Sequence, residues 1–196
     1  MSFLKSWFFF PEHRHGHGVH SPFAYSFIRN AVECKLPYYA FAPLRKKVLE
    51  ERRKYRYSNS DMIVNIKDLE LIFRVIVYYR IEQVLIYSPA DTFVLDYIVC
   101  ADSGIEIITE HKKIKPGKRL LIVVEKKDYT GNLEKEIIDC ADGSVLIGNL
   151  RNNNAINELW SDKRRVGNWR LTIRTRRIGI AFNSRNITEG RFVTSL

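Results

Sequence analysis

Four histidines crowd into eight residues near the amino end, His13, His15, His17 and His20, in a run broken by Gly16 and Gly18. Imidazoles at this density can ligate zinc or another transition metal. Alternating positions in a glycine loop do not by themselves build a tetrahedron, and no cysteine or carboxylate with ligand spacing accompanies them. No metal site is therefore expected, and the segment is read as a structural loop docked on the rest of the fold. His20 beside Ser21 is no nucleophile pair either, because such pairs are set by geometry and not by adjacency. A second set of groups is cationic. Between Arg151 and Arg185 nine Lys/Arg stand against Glu158 and Asp162, so +7 of the net +10 falls there. Arg164, Arg165, Arg170, Arg174, Arg176 and Arg177, with Trp169 among them, suit a phosphate backbone and a stacked base. A plain solvating surface is the other reading of the same charges.

The chain has 196 residues, 45% of them hydrophobic and 12% aromatic, the composition of a globular protein. At this length folding hides roughly 70% of the unfolded surface, so the core needs no disulfide or metal staple. Cys34, Cys100 and Cys140 are an odd, widely spaced set, which points to a reducing compartment and a cytoplasmic home. No apolar stretch approaches the ~20 residues of a spanning helix, and no small-residue cleavage site follows the aromatic run before Pro11, so neither insertion nor export is expected. That run, Trp7, Phe8, Phe9 and Phe10, suits packing on the core, a partner or second copy, or contact with a membrane surface.

The periodicity divides the chain into a helical or irregular extension over 1–66 and a strand–helix alternation over 67–196. Ser21 before Pro22 offers an N-cap and a first-turn proline, followed by the stripe Phe23, Phe27 and Ile28. Mixed charges from Arg45 to Arg56 suit a solvated helix face. Leu69, Ile72, Phe73, Ile76 and Val77 predict a helix over 67–79. Strands are expected at 83–87, 104–109, 119–125 and 144–148, and helices at 93–101, 130–140 and 154–164. Trp169 to Thr175 and Ile178 to Phe182, parted by Arg176 and Arg177, predict an antiparallel pair, with 191–195 extending the edge. The fold class is therefore α/β: a Rossmann-like, mostly parallel sheet with helices on both faces, an antiparallel C-terminal hairpin and a helical N-terminal extension. Ligands of such sheets sit beyond the carboxyl ends of the strands, which directs attention to the turn after Tyr87.

His15-Gly16-His17-Gly18-Val19-His20-Ser21-Pro22-Phe23 resembles the N-terminal signature of a group of bacterial class I S-adenosylmethionine-dependent methyltransferase-like proteins. Gly143 to Asn149, Asn157-Glu158-Leu159-Trp160 and Ile178-Gly179-Ile180-Ala181-Phe182 resemble the late strands and helix of the same group. The likeness covers about 13–28 and, more loosely, 81–196. It implies a seven-stranded sheet with a reversed final strand, and a cofactor pocket formed here by Tyr87, Ser88, Ala90 and Asp91, with Glu110 on the ribose. The chain departs from that pattern. The turn Ser88-Pro89-Ala90-Asp91-Thr92 has no glycine to bring backbone close to a methionyl group, and Pro89 has no N–H. Gly148-Asn149 stands where the group tends to carry an Asp-Asp pair, and the nine residues between 109 and 119 are too few for a strand, a helix and an adenine-binding segment. The expectation is a degenerate scaffold in which Ser88 to Thr92 merely turns the chain, with no cofactor and a structural or interaction role. Two alternatives stay open: an active methyltransferase using S-adenosylmethionine through the atypical turn, and a nucleic-acid-binding module built on the arginines.

Overall fold

The computed structural model describes residues 11–54, 65–86, 92–110, 113–124, 142–150, 160 and 169–196. The expected helices at 130–140 and 154–164, Trp160 apart, and the aromatic cluster at 7–10 lie outside these residues. Ser21 caps helix α1 (Pro22–Phe27), its hydroxyl accepting from the Ala24 amide at 3.3 Å with Pro22 in the first turn. The chain continues through a π turn at Ile28–Val32 into α2 (Phe41–Lys54). Helix α2 is not solvated all round: Phe41, Leu44 and Val48, spaced by three and four residues, are buried between its cations.

Helix α3 (Ile66–Tyr79) starts where the Asn65 side chain accepts from the Lys67 amide at 3.0 Å, and ends where Arg80 turns left-handed at φ 53°. Every residue from Asp68 to Ile76 is buried, as befits a helix enclosed by the sheet and by other helices. Strand β1 (Gln83–Ile86), helix α4 (Thr92–Ala101), and strands β2 (Glu106–Ile108), β3 (Leu120–Val124), β4 (Ser144–Asn149), β5 (Leu171–Arg174), β6 (Ile178–Asn183) and β7 (Gly190–Val193) follow.

The strands form one seven-stranded sheet in the order β2-β1-β3-β4-β6-β5-β7. Strands β2, β1, β3 and β4 run parallel; β6 lies antiparallel between β4 and β5, and β5 pairs parallel with β7. The α/β class, the parallel block, the closing antiparallel pair and the edge extension are thus observed. Alternate residues feed two cores. Val84, Ile86, Leu121, Val123, Val145, Ile147, Ile180 and Phe182 join residues of α1, α2, α3 and α4 in the larger cluster. Leu85, Leu120, Ile122, Val124, Leu146 and Ala181 face the other way, onto Ile114 and Trp160. The four described helices all lie on the first side; the helices expected at 130–140 and 154–164 fall outside the described residues apart from Trp160.

Aromatic contacts fasten the extension to the sheet. Phe27 and Phe23 meet Phe182 of β6 edge to face at 4.9 and 5.2 Å, so two passages far apart in sequence become one packing unit. Between α2 and α3, Phe41 and Tyr38 each meet Phe73 at 5.0 Å. Gly16, at φ +77°, is needed for two reasons: its conformation, and a Tyr25 ring that would lie 2.4 Å from any Cβ. No helix among the described residues is long and apolar enough to cross a membrane.

Candidate functional site at the carboxyl ends of the strands

Of the residues expected to surround a cofactor, Tyr87, Ser88, Ala90 and Asp91 lie outside the described residues. Glu110 is described: it sits exposed just past β2 and pairs with Lys113 at 3.1 Å. Its passage, the eleven residues 109–119, carries the chain from β2 across β1 to β3. That passage is lashed to the amino end of β1. Buried Gln83 donates through Nε2 to Glu106 at 3.0 Å and accepts from the Lys115 amide at 3.1 Å, while Lys115 Nζ reaches Glu106 at 2.8 Å. The hydrogen bonds from Lys115 and Gln83 hold the Glu106 carboxyl below the usual range.

The described arginines divide. Arg170, just before β5, donates to the Ile187 carbonyl at 3.0 Å and approaches Glu189 at 3.5 Å. Arg177, in the β5–β6 turn, grips Asp68 with both Nε and Nη2, the shortest contact being 2.8 Å. Asp68 lies in the first turn of α3, where a carboxylate also meets the positive end of the helix dipole. That pair ties the sheet to the helical layer. Arg176 is exposed. Arg174, at the carboxyl end of β5, is half-buried, and burial alone pushes its guanidinium below the ordinary value. Arg164 and Arg165 lie outside the described residues. The arginines that read as one patch are thus split between the two ends of β5, two of them engaged within the protein.

Beside Arg174 the register places Gly179 of β6 and, beyond it, Gly148 of β4. The Trp160 indole lies against Gly179, so close that a Cβ there would stand 2.3 Å from Cε2 and 2.7 Å from Cδ2 and Cζ2. Trp160 Nε1 is shut off from solvent and has no hydrogen-bond partner among the described residues. Sequence reading used Gly148 and Gly179 only as family marks. Their pairing side by side under a tryptophan depends on strand order, which local pattern does not carry.

The histidine loop docks on the sheet as expected. The His13 amide donates to the Val193 carbonyl at 2.8 Å, the Val193 amide donates back to His13 Nδ1 at 3.1 Å, and the ring meets Phe192 edge on at 5.1 Å. Next to it the His15 amide donates to both oxygens of Glu33, which also accepts from the Thr194 hydroxyl. These bonds clip the loop along β7, at the sheet's edge. Among the described residues no group of three or more His, Cys, Asp and Glu is arranged to hold a metal.

A third polar centre lies between the helices. Glu70 accepts from Arg45 and faces Arg74, whose Nε donates to the Ala31 carbonyl at 2.7 Å. Nearby, the Tyr97 hydroxyl is buried without a partner among the described residues, and burial first, then the Glu70 charge, pushes its pKa up to about 12. Compared with protein-family models, with curated proteins and with solved structures, the chain matches none.

Proposed function

We propose that this chain is a shortened, methyltransferase-like protein of Rossmann type that works without catalysis, as a structural or interaction module. The strand order supports the scaffold: a parallel block extended by a strand reversed between two others resembles the class I methyltransferase sheet with its reversed final strand. The observation that carries the loss of catalysis is the eleven-residue passage from β2 to β3. In the family this resembles, a further strand, a helix and the adenine-binding segment would fit there, whereas 109–119 suffices only to cross β1. Glu110, the ribose candidate, is spent on Lys113 in that passage. The absence of glycine from Ser88 to Asp91 in the sequence supports the same reading.

Isothermal titration of the purified chain with S-adenosylmethionine and S-adenosylhomocysteine tests it. No binding heat is expected with either. Micromolar binding, abolished in Asp91→Ala and Glu110→Ala, would overturn the proposal in favour of an active methyltransferase.

A further inference from the structure

Strand β7 gives its two edges to different partners. The Gly190 and Thr194 amides donate inward, to the Arg170 and Arg174 carbonyls at either end of β5, each at 2.9 Å. Val193 faces the other way, as strand alternation requires, and one residue takes both of its backbone groups. Its carbonyl accepts from the His13 amide at 2.8 Å, and its amide donates to His13 Nδ1 at 3.1 Å. An imidazole ring thus stands where a neighbouring strand would place a carbonyl. A backbone N–H can only donate, so Nδ1 must be bare and the ring neutral, with its proton on Nε2. An imidazolium carries a proton on both nitrogens and would set N–H against N–H.

His15, two residues on, has the opposite requirement. Its Nδ1 lies 3.2 Å from Arg29 Nη1 and 3.1 Å from a Glu33 oxygen. A bare Nδ1 accepts from the arginine and a protonated one donates to the carboxylate, so acid tightens the contact with Glu33. The Glu33 side chain is buried and is held besides by the His15 amide and the Thr194 hydroxyl, and Gly16 beyond it is buried against the Tyr25 ring. The charged and titratable groups around His13 are Glu12, Arg14 and His15 in the loop, Arg191 on β7, and Arg29 and Glu33 at the π turn. Of these side-chain types only imidazole titrates near neutral pH.

We propose that the histidine loop is a pH-sensitive guard of the β7 edge, docked while His13 is neutral and released from Val193 when His13 is protonated, with His15 still held at Glu33. Docking is strongest at neutral pH and weakens as pH falls, because the proton occupies the lone pair that the Val193 amide needs. Release bares the outer N–H and C=O of Val193 to water. The device is independent of the cofactor turn and stands whether or not S-adenosylmethionine binds.

Amide hydrogen exchange of the purified chain, read residue by residue by NMR and corrected for the intrinsic rate at each pH, tests it. Between about pH 7.5 and about pH 5.5 imidazoles take up a proton and ordinary carboxylates do not. Across that range protection of the Val193 amide should fall roughly fivefold or more, the scale of one net hydrogen bond. The Gly190, Thr194 and His15 amides should keep theirs. His13→Asn puts Oδ1 in the place of Nδ1, an acceptor that does not titrate, so its Val193 protection should not change with pH. His13→Phe keeps a ring beside Phe192 without an acceptor and should leave Val193 poorly protected at both ends of the range. Constant Val193 protection in the parent overturns the proposal, as does an equal fall in His13→Asn. A joint loss at Gly190, Val193 and Thr194 also overturns it, because β7 itself would then be fraying. If neither variant gives a dispersed spectrum, the imidazole nitrogen shifts of the parent at neutral pH decide, and a proton on His13 Nδ1 overturns the proposal.

Discussion

A single methyl group added at Gly179 measures how firmly Trp160 is seated on the sheet. The new Cβ would stand 2.3 Å from Cε2 and 2.7 Å from Cδ2 and Cζ2 of the indole. Carbon atoms at rest sit roughly 3.5–4.0 Å apart, so the ring has to retreat by more than about 1 Å. An indole is rigid and contacts here through its fused edge, so no flexible tip can absorb the overlap. Forced overpacking of this kind costs about 1–3 kcal/mol. Against it works the reduced freedom of the unfolded chain, which favours alanine over glycine by about 0.4–1 kcal/mol where the backbone tolerates it. Gly179 does not have a positive φ and lies within β6, so that gain is available. The balance predicts that Gly179→Ala destabilises by about 1–2 kcal/mol, a fall in Tm of roughly 2–8 °C for a domain of this size. Thermal melts followed by circular dichroism read this directly, with Gly104→Ala as control, since a Cβ there meets only Asp102 Oδ1 at 3.3 Å. Adding Trp160→Ala should remove most of the extra cost, a coupling that a double-mutant cycle isolates. An unchanged or raised Tm for Gly179→Ala would refute the reasoning, because the indole would then have room to spare.

Two further predictions concern buried polar groups. Removing the Asp68 carboxylate by Asp68→Ala leaves Arg177, only 24% exposed, without its partner, and should cost about 3 kcal/mol in urea unfolding; a loss near the ~1 kcal/mol of a surface pair would show that the bond does not anchor the β5–β6 turn. Tyr97→Phe deletes a hydroxyl that has no partner among the described residues, so stability should hold or rise by up to about 1 kcal/mol at neutral pH. With its pKa pushed up to about 12, Tyr97 stays neutral in the folded chain after the unfolded chain has begun to ionise near 10. Its stabilising share is therefore whole below pH 10 and is lost as pH rises towards 12. Denaturation series across that range should show a shallower alkaline decline for Tyr97→Phe than for the parent, and equal slopes would contradict the burial of this phenol.

Much of the fold was legible in residue order alone. Ser21-Pro22 announces α1 because a hydroxyl acceptor and a fixed φ are local requirements of a helix start. The runs that became β1, β3, β4 and β6 are apolar at nearly every position because helices or side chains cover both sheet faces, and the pair Arg176-Arg177 marks the turn between the last two antiparallel strands. The buried stripe of α2 was hidden: Phe41, Leu44 and Val48 are outnumbered by cations, and only the aromatic rings of Phe73 and Tyr38 reveal which side turns inward.

The candidate site divides along the same line. Residue types settled that the stretch Tyr87 to Thr92 contains no glycine and that the carboxyl-terminal third is rich in arginine. They did not distinguish Arg174 from Arg177, three positions apart and chemically the same. Strand alternation and a bent turn send one to Asp68, which is 109 residues away in the chain, and leave the other on the opposite face beside two glycines from different strands. Propensity, capping and periodicity act over a few neighbouring residues, so they can be read along a line. Which charge finds a partner, and which donor is left without one, depends on strand order and register, and those exist only once distant segments have packed together.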